Sequence, residues 1–259
     1  MTVRIGAHGD VDDAASQAEA IGADIAQVFL SDPQAWKLDA AALSNPGVPA
    51  YVHAPYVINV ASTNNRIRVP GRRLLQATCT AAADIGALGV VVHGGHVTAS
   101  DDPAVGFENW RKAIDGLDVN IPLLIENTAG GNNAMARYLD RIALLWEHLA
   151  DSPNIGTVGF TLDTCHAWAA GLNLATVVED ILVITGRIDL VHANNSRDAD
   201  GSGADRHARL REGTIPPDLL VEVIGAATSH GADVILETRG TAEETASDIA
   251  WLRGELSKN

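Results

Sequence analysis

In LDTCH, Asp163 and His166 are separated by two residues, and in DRH, Asp205 and His207 are separated by one; His53, His93, Glu126, His192 and Glu237 each end a short apolar run. A charged or imidazole group at the end of a buried segment costs several kcal/mol unless it is paired or bound to metal. So many together are expected to meet one another. Five histidines and four carboxylates make a mixed imidazole and carboxylate set, the ligand chemistry of zinc, manganese or iron rather than of calcium or magnesium alone. Nine groups exceed the needs of one tetrahedral ion, so two or three metal ions are implied.

Other histidines read differently. His8 ends the first apolar run and is read as a satisfied polar residue beside the cluster. His96 in HGGH follows two glycines that suggest a loop turning away, while His148 on a helix and His230 just past one are read as surface residues. Cys165, next to His166, is read as a small buried thiol filling space. HGGH and AGG lack the G-x-G-x-x-G pattern, so no nucleotide cofactor is expected.

The elements that must position these groups are eight short β-branched runs: Val3 to Ala7, Ile25 to Phe29, Ala50 to His53, Val90 to His93, Pro122 to Glu126, Val158 to Asp163, Ile188 to His192 and Asp233 to Glu237. Between them lie helix candidates near Asp12 to Gly22, Arg72 to Ile85, Val105 to Asp115, Ala134 to Leu149, Asn173 to Thr185, Pro216 to Ser229 and Thr241 to Leu256. The second unit, with Pro33, Pro46 and Pro49 around Lys37 to Leu43, carries the weakest pattern. Eight βα units in 259 residues predict an α/β chain folded as one (β/α)8 TIM barrel over residues 1–259, with its site at the C-terminal ends of the strands. The polar stretch Asn194 to Gly213 leaves such a strand end and is read as a functional loop, with a hairpin turn at Asp200 to Gly203.

Composition narrows the function. Lys and Arg total 18 against 33 acids, a formal charge of −15, which excludes a generic basic nucleic-acid coat. Two cysteines make no disulfide framework. There is no apolar run long enough for a signal peptide or membrane span, so a cytoplasmic protein with no membrane partner is expected.

The blocks HAPYVINVAS, VVHGGH, LLIENTAGG, LDTCHAWAAG, LVHANNS, DRHARLREG and VILET, in that order along nearly the whole chain, resemble the endonuclease IV family of zinc-dependent apurinic/apyrimidinic endonucleases. The resemblance implies a barrel with three zinc ions, manganese being admissible at one position, that cuts damaged duplex DNA 5′ to an abasic deoxyribose. Position by position, it implies one zinc on His53, His93 and Glu126, a second on Glu126, Asp163, His192 and Glu237, and a third on His166, Asp205 and His207, with Glu126 and Glu237 as catalytic residues. Three Zn²⁺ against four ligand carboxylates leave the site at about plus two, a positive mouth on an acidic chain. Tyr56 matches the family's loop tyrosine that enters DNA at the lesion. Arg66, Arg68, Arg72, Arg73, Arg197, Arg206, Arg209 and Arg211 are candidates for backbone contacts. The resemblance also suggests a monomer.

Two positions depart from the family's pattern. SDPQAW places Gln34 where family members often carry an arginine wedge, so Gln34 is the candidate DNA contact there. The family's His-x-Asn-Asp becomes His192-Ala193-Asn194-Asn195, which replaces an expected carboxylate beside the ligands by an amide. Two other classes fit part of the pattern. A sugar isomerase or epimerase of the xylose-isomerase-like barrels needs one or two metals and leaves His166, Asp205 and His207 without work. A non-catalytic barrel that binds DNA or metal is the second.

Overall fold

Apolar residues at every position of a short strand force burial on both faces, and the sequence meets that demand by wrapping helices around a closed sheet. A computed structural model of the chain describes residues 3–38, 45–118 and 121–258. Its strands are β1 (Ile5–Gly9), β2 (Ile25–Val28), β3 (Ala50–His53), β4 (Gly89–His93), β5 (Leu123–Glu126), β6 (Val158–Asp163), β7 (Leu190–His192), the two-residue strands β8 (Asn195–Ser196) and β9 (His207–Ala208), and β10 (Asp233–Leu236). Eight of them close in the order β1-β10-β7-β6-β5-β4-β3-β2, all neighbours parallel. β8 and β9 pair antiparallel, the hairpin expected of the polar loop. The helices are α1 (Ala14–Ile21), α2 (Asn65–Asp84), α3 (Pro103–Asp115), α4 (Leu139–Leu149), α5 (Thr164–Ala170), α6 (Val177–Thr185), α7 (Pro217–Ser229) and α8 (Ala242–Leu256).

The barrel interior holds one apolar layer, made by Ile25, Tyr51, Val91, Leu124, Leu190 and Ile235. Below it the Tyr51 hydroxyl donates to Asp233 Oδ2 at 2.8 Å, and Arg4 Nε donates to Asp233 Oδ1 at 2.8 Å. Side chains alternate with period two along a strand, so the residue two positions beyond each plug residue also faces inward, about 6.6 Å higher. Those residues are Gln27, His53, His93, Glu126, His192 and Glu237, joined by Asp163 after Thr161 on β6 and His8 after Gly6 on β1. Gly6 supplies no plug, since a Cβ there would lie 1.8 Å from the Ile25 carbonyl oxygen. The layer above the plug is therefore polar on all eight strands. A second, larger core lies outside the wall, where Phe107, Trp110, Ile142 and Leu145 pack against Val90, Val92 and Ile125.

Element boundaries differ from the sequence expectation in ways the local chemistry explains. β1 lies two residues later than expected. Asn64 caps α2 by accepting from Arg66 N at 2.9 Å, so that helix begins at Asn65 and runs through Pro70 rather than starting at Arg72. α4 begins at Leu139, five residues after the expected Ala134, because the preceding chain bridges to His96 instead. The expected weak element around Lys37 to Leu43 falls mostly on residues 39–44, outside the described residues.

Candidate metal centre

Glu126 ends β5 at 1% exposure and is the point on which four imidazoles converge. His53 Nε2 and His93 Nε2 lie 3.4 and 3.3 Å from its Oε2; His166 Nδ1 and His192 Nδ1 lie 3.1 and 3.2 Å from its Oε1. Strand ends alone do not deliver His166. Asp163 is both the last residue of β6 and the N-cap of α5, its Oδ1 accepting from His166 N at 2.7 Å. The cap places His166 one turn into the helix, where its Nε2 faces Asp205 Oδ1 at 3.2 Å. α5 was not among the expected helices, although D-x-x-H at the end of a strand is a capping signal. The β8/β9 hairpin brings His207 in from outside the barrel, its Nε2 3.1 Å from Asp205 Oδ1 and 3.6 Å from Asp163 Oδ2.

Potential ligand atoms lie within 4.8 Å of one another in three sets: His53, His93 and Glu126; Glu126, Asp163, His192 and Glu237; His166, Asp205 and His207. Asp163, Cys165 and His207 form a further set, but burial pushes the Cys165 thiol up to about 12. It therefore remains a neutral, space-filling group. Three buried polar atoms in the cluster have no hydrogen-bond partner: Glu126 Oε2, His166 Nε2 and His207 Nε2. Orphaned donors and acceptors of this kind are rare, and an imidazole and carboxylate set whose free atoms face each other fits divalent transition-metal ions.

Titration in the metal-free protein follows from the same contacts. Burial raises the Glu126 carboxyl, but His93 and His192 outweigh it and hold the group well below the carboxylate range. Glu237 is likewise raised by burial and carried down to about 2, chiefly by His192. For Asp205, burial is outweighed by His166 and His207, and the carboxyl falls far below its ordinary value. Full burial wins at Asp163, whose carboxyl is raised. Burial lowers His192, yet Glu237 and Glu126 bring it up to about 9; Asp163 and Asp205 likewise raise His166 well above 6.5. Protons thus take the positions that cations would occupy. The stability His192 contributes is complete below its free value of 6.5 and lost as pH rises through about 9, a difference of about 3 kcal/mol. The Glu237 contribution is complete above 4.5 and lost as pH falls through about 2. Chelator-treated protein should therefore be most stable between these two free values and weaken toward pH 9 in urea titrations; stability that is flat or rising over that range would contradict the pairing.

The remaining expected residues differ in their contacts. His8 is half-buried against Phe29, its ring lowered to about 4 mainly by burial. His96 is held by Asn59, away from the three sets, His230 is exposed, and His148 packs on Phe107. Tyr56 is 47% exposed at the mouth, its ring stacked on His93 at 5.5 Å and its amide bonded to Pro33 O, so the loops after β3 and β2 are tied together. Gln34 stands exposed on the second of these loops, its amide capped by Asp32.

Several arginines are engaged within the protein rather than free. Arg206 pairs with Asp198 across the hairpin, its Nε 2.8 Å from Oδ2. Arg209 and Arg211 tie the same loop to Asp248 on α8, Arg72 donates to Asn109 O, and Arg197 Nε donates to His207 O. Arg66 and Arg73 on α2 are exposed.

Asn195 does not stand beside the ligands as its place in the sequence suggests; its side chain is turned into its own loop. The amide does not touch the ligand cluster: Nδ2 donates to Leu210 O and Ile215 O at 2.8 and 2.9 Å, and Oδ1 accepts from Ile215 N at 2.8 Å. A carboxylate cannot make those two donations, so an amide suits this loop. Asn194 is the neighbour that meets the ligands, donating from Nδ2 to Asp163 Oδ2 at 2.7 Å and to Glu237 Oε2 at 3.1 Å. Gln27 is a further polar residue of the layer above the plug, beyond the acids and imidazoles that the sequence singles out. It is fully buried, its Nε2 2.6 Å from Glu237 Oε1 and 3.1 Å from His8 Nδ1, and its Oε1 2.8 Å from His192 Nε2. The signal was one polar residue inside the otherwise apolar run IAQVF.

Known proteins share this architecture and much of this sequence. The xylose isomerase-like TIM barrel family matches residues 15–255. A protein named Probable endonuclease 4 from Mycobacterium bovis is 54% identical over 254 residues, covering 96% of this chain and 97% of the relative. Endonuclease IV from Thermus thermophilus superposes with a TM-score of 0.83 at 29% identity, over 99% of this chain and all of the other. A D-tagatose 3-epimerase-like protein matches at 0.77 and 20% identity over 98% of this chain and 97% of that one, which shows the shared fold alone. The chain belongs to the endonuclease 4 family of xylose isomerase-like TIM barrels.

Proposed function

We infer that this protein is a DNA repair endonuclease that hydrolyses the phosphodiester 5′ to abasic sites in duplex DNA, leaving a 3′-OH, and that also removes 3′-blocking groups. The observation that carries the inference is the third set, His166, Asp205 and His207, joined through His166 to the two sets that share Glu126. A sugar isomerase with one or two metals has no use for it.

His53, His93 and Glu126 would hold one zinc ion; Glu126, Asp163, His192 and Glu237 a second; His166, Asp205 and His207 a third. Zinc bound there supplies a nucleophile from water at neutral pH and charge that stabilises a phosphodiester and its leaving oxygen. The protein's own groups set the geometry. Asp163 and Asn194 lock the strand ends by hydrogen bonds, and the plug beneath gives the cluster a rigid apolar floor. Asn127 fixes the end of β6 by accepting from Asp163 N at 2.7 Å. Tyr56, exposed at the rim and stacked on His93, is placed to fill the gap left by a missing base. Tyr56→Ala is expected to raise KM for an abasic duplex about tenfold, the scale of one stacking contact; an unchanged KM would remove Tyr56 from lesion binding. Affinity should fall with added salt. The reading is of a monomer that acts on DNA in the cytoplasm. No described helix is long and apolar enough to cross a membrane.

The test is incision of a duplex carrying one tetrahydrofuran abasic analogue by protein as purified, after prolonged chelation, and after zinc is restored. Cleavage 5′ to the analogue that is lost and regained with zinc is the expected result. No incision by protein holding about three zinc ions per chain would overturn the inference and turn attention to sugar substrates.

A further inference from the structure

We propose that Gln27 is a positioning residue that decides which nitrogen of His192 and which oxygen of Glu237 are offered to a metal ion. The proposal rests on the metal-dependent function above. Gln27 is the one polar residue of β2 and has no solvent contact, so its carboxamide must find its partners inside the barrel.

Its orientation is forced. Glu237 Oε1, as a carboxylate oxygen, only accepts, so the amide NH2 must face it; the second N–H is then directed at His8 Nδ1. The carbonyl Oε1 is left for His192 Nε2, which must carry the proton. His192 Nδ1 therefore presents its lone pair to the interior of its set, 3.2 Å from both Glu126 Oε1 and Glu237 Oε2 and 4.0 Å from Asp163 Oδ2. With Oε1 held by Gln27, Glu237 turns Oε2 to the same place.

The other buried imidazoles show what Gln27 replaces. His53 Nδ1 faces Ala54 O at 2.8 Å, and His166 Nδ1 faces Asn127 O at 2.9 Å beside its 3.1 Å approach to Glu126 Oε1, so each has a backbone acceptor on Nδ1 and turns Nε2 to a carboxylate of its own set. His192 enters the cluster the other way round, through Nδ1. Its other nitrogen points across the barrel interior toward β2, and the acceptor there is the Gln27 side chain. An acceptor on the far nitrogen fixes both tautomer and ring orientation in a metal-binding histidine.

The experiment uses zinc-loaded protein. Long-range ¹⁵N–¹H correlation spectra of the wild type should show His192 protonated at Nε2 alone, and an Nδ1–H tautomer would overturn the proposal before any substitution is made. Gln27→Met, close in volume and unable to hydrogen-bond, should release one zinc of three at chelator concentrations about 10–100-fold lower than wild type requires, the other two being held as before. Val28→Ala loosens the same strand without touching the carboxamide; it should lower thermal stability and leave zinc retention unchanged. Wild-type retention in Gln27→Met, or equal zinc loss in Val28→Ala, would reduce Gln27 to packing and overturn the proposal. A wild-type protein that binds no zinc would overturn the metal-dependent function as well, which separates the two failures.

Discussion

Replacing Glu126 by glutamine is expected to lower incision of an abasic duplex by about 10³-fold or more, several kcal/mol of transition-state stabilisation, while the barrel stays folded. Four imidazole nitrogens lie between 3.1 and 3.4 Å from its two oxygens. Among the described residues, no other belongs to two of the three full sets. The substituted side chain would keep the shape and one oxygen but replace the other by an NH2 facing imidazoles that offer lone pairs or protons, so at least one pairing becomes repulsive. The charge lost is the one on which four imidazoles converge. Because the substitution removes a desolvated anion without changing volume, circular dichroism and the unfolding midpoint of chelated protein should show a native barrel. Incision within tenfold of wild type would contradict the sharing of Glu126 between sets.

The second large effect is predicted at a residue that touches no ligand. Asn195→Ala deletes two donations to the carbonyls of Leu210 and Ile215 and two acceptances, from Ile215 N and Ser196 N, leaving those backbone groups buried without these partners. At roughly 1–3 kcal/mol for each unsatisfied group, partly relieved by water, the cost is about 3–5 kcal/mol. The loss is local. Asn195 pins the far end of the segment that carries Asp205 and His207, packed so closely on Gly213 that a Cβ there would stand only 2.1 Å from its Oδ1. Zinc analysis should find about two ions per chain instead of three, with the set built on His166, Asp205 and His207 emptied. Three ions together with stability within about 0.5 kcal/mol of wild type would show that the hairpin holds itself.

Much of this centre is legible in the sequence because strands obey a strict alternation. In a strand buried on both faces, a lone His, Asp or Glu at the C-terminal end has nowhere to go but the barrel mouth, which is why His53, His93, Glu126, Asp163, His192 and Glu237 stand out. The same alternation marks Gln27, two residues beyond Ile25, as an inward-facing amide in the same layer. What was not legible depends on tertiary partners. Asn195 reads as a substituted neighbour of the metal until the fold shows its side chain turned into its own loop. Arg206, Arg209 and Arg211 read as a basic patch until Asp198 and Asp248 appear opposite them. The start of α2 is hidden by Pro70, which sequence rules place at a boundary and which the Asn64 cap overrides.

The polar layer seated two residues above the apolar plug carries one more consequence, for assembly. Slipping any barrel strand by a single residue against its neighbour exchanges its inward and outward faces. The plug residue and the polar residue above it then leave the interior together. Hydrophobic burial alone would tolerate some slipped arrangements, since residues such as Val90, Val92 and Ile125 on the outer face are as apolar as the plug itself. Metal capture would not tolerate a slip of β3, β4, β5, β6, β7 or β10, because each of these six strands carries one donor residue of the sets at or just past its end. A metal ion held by these sets would therefore favour, during folding, the arrangement in which those six strands are in step.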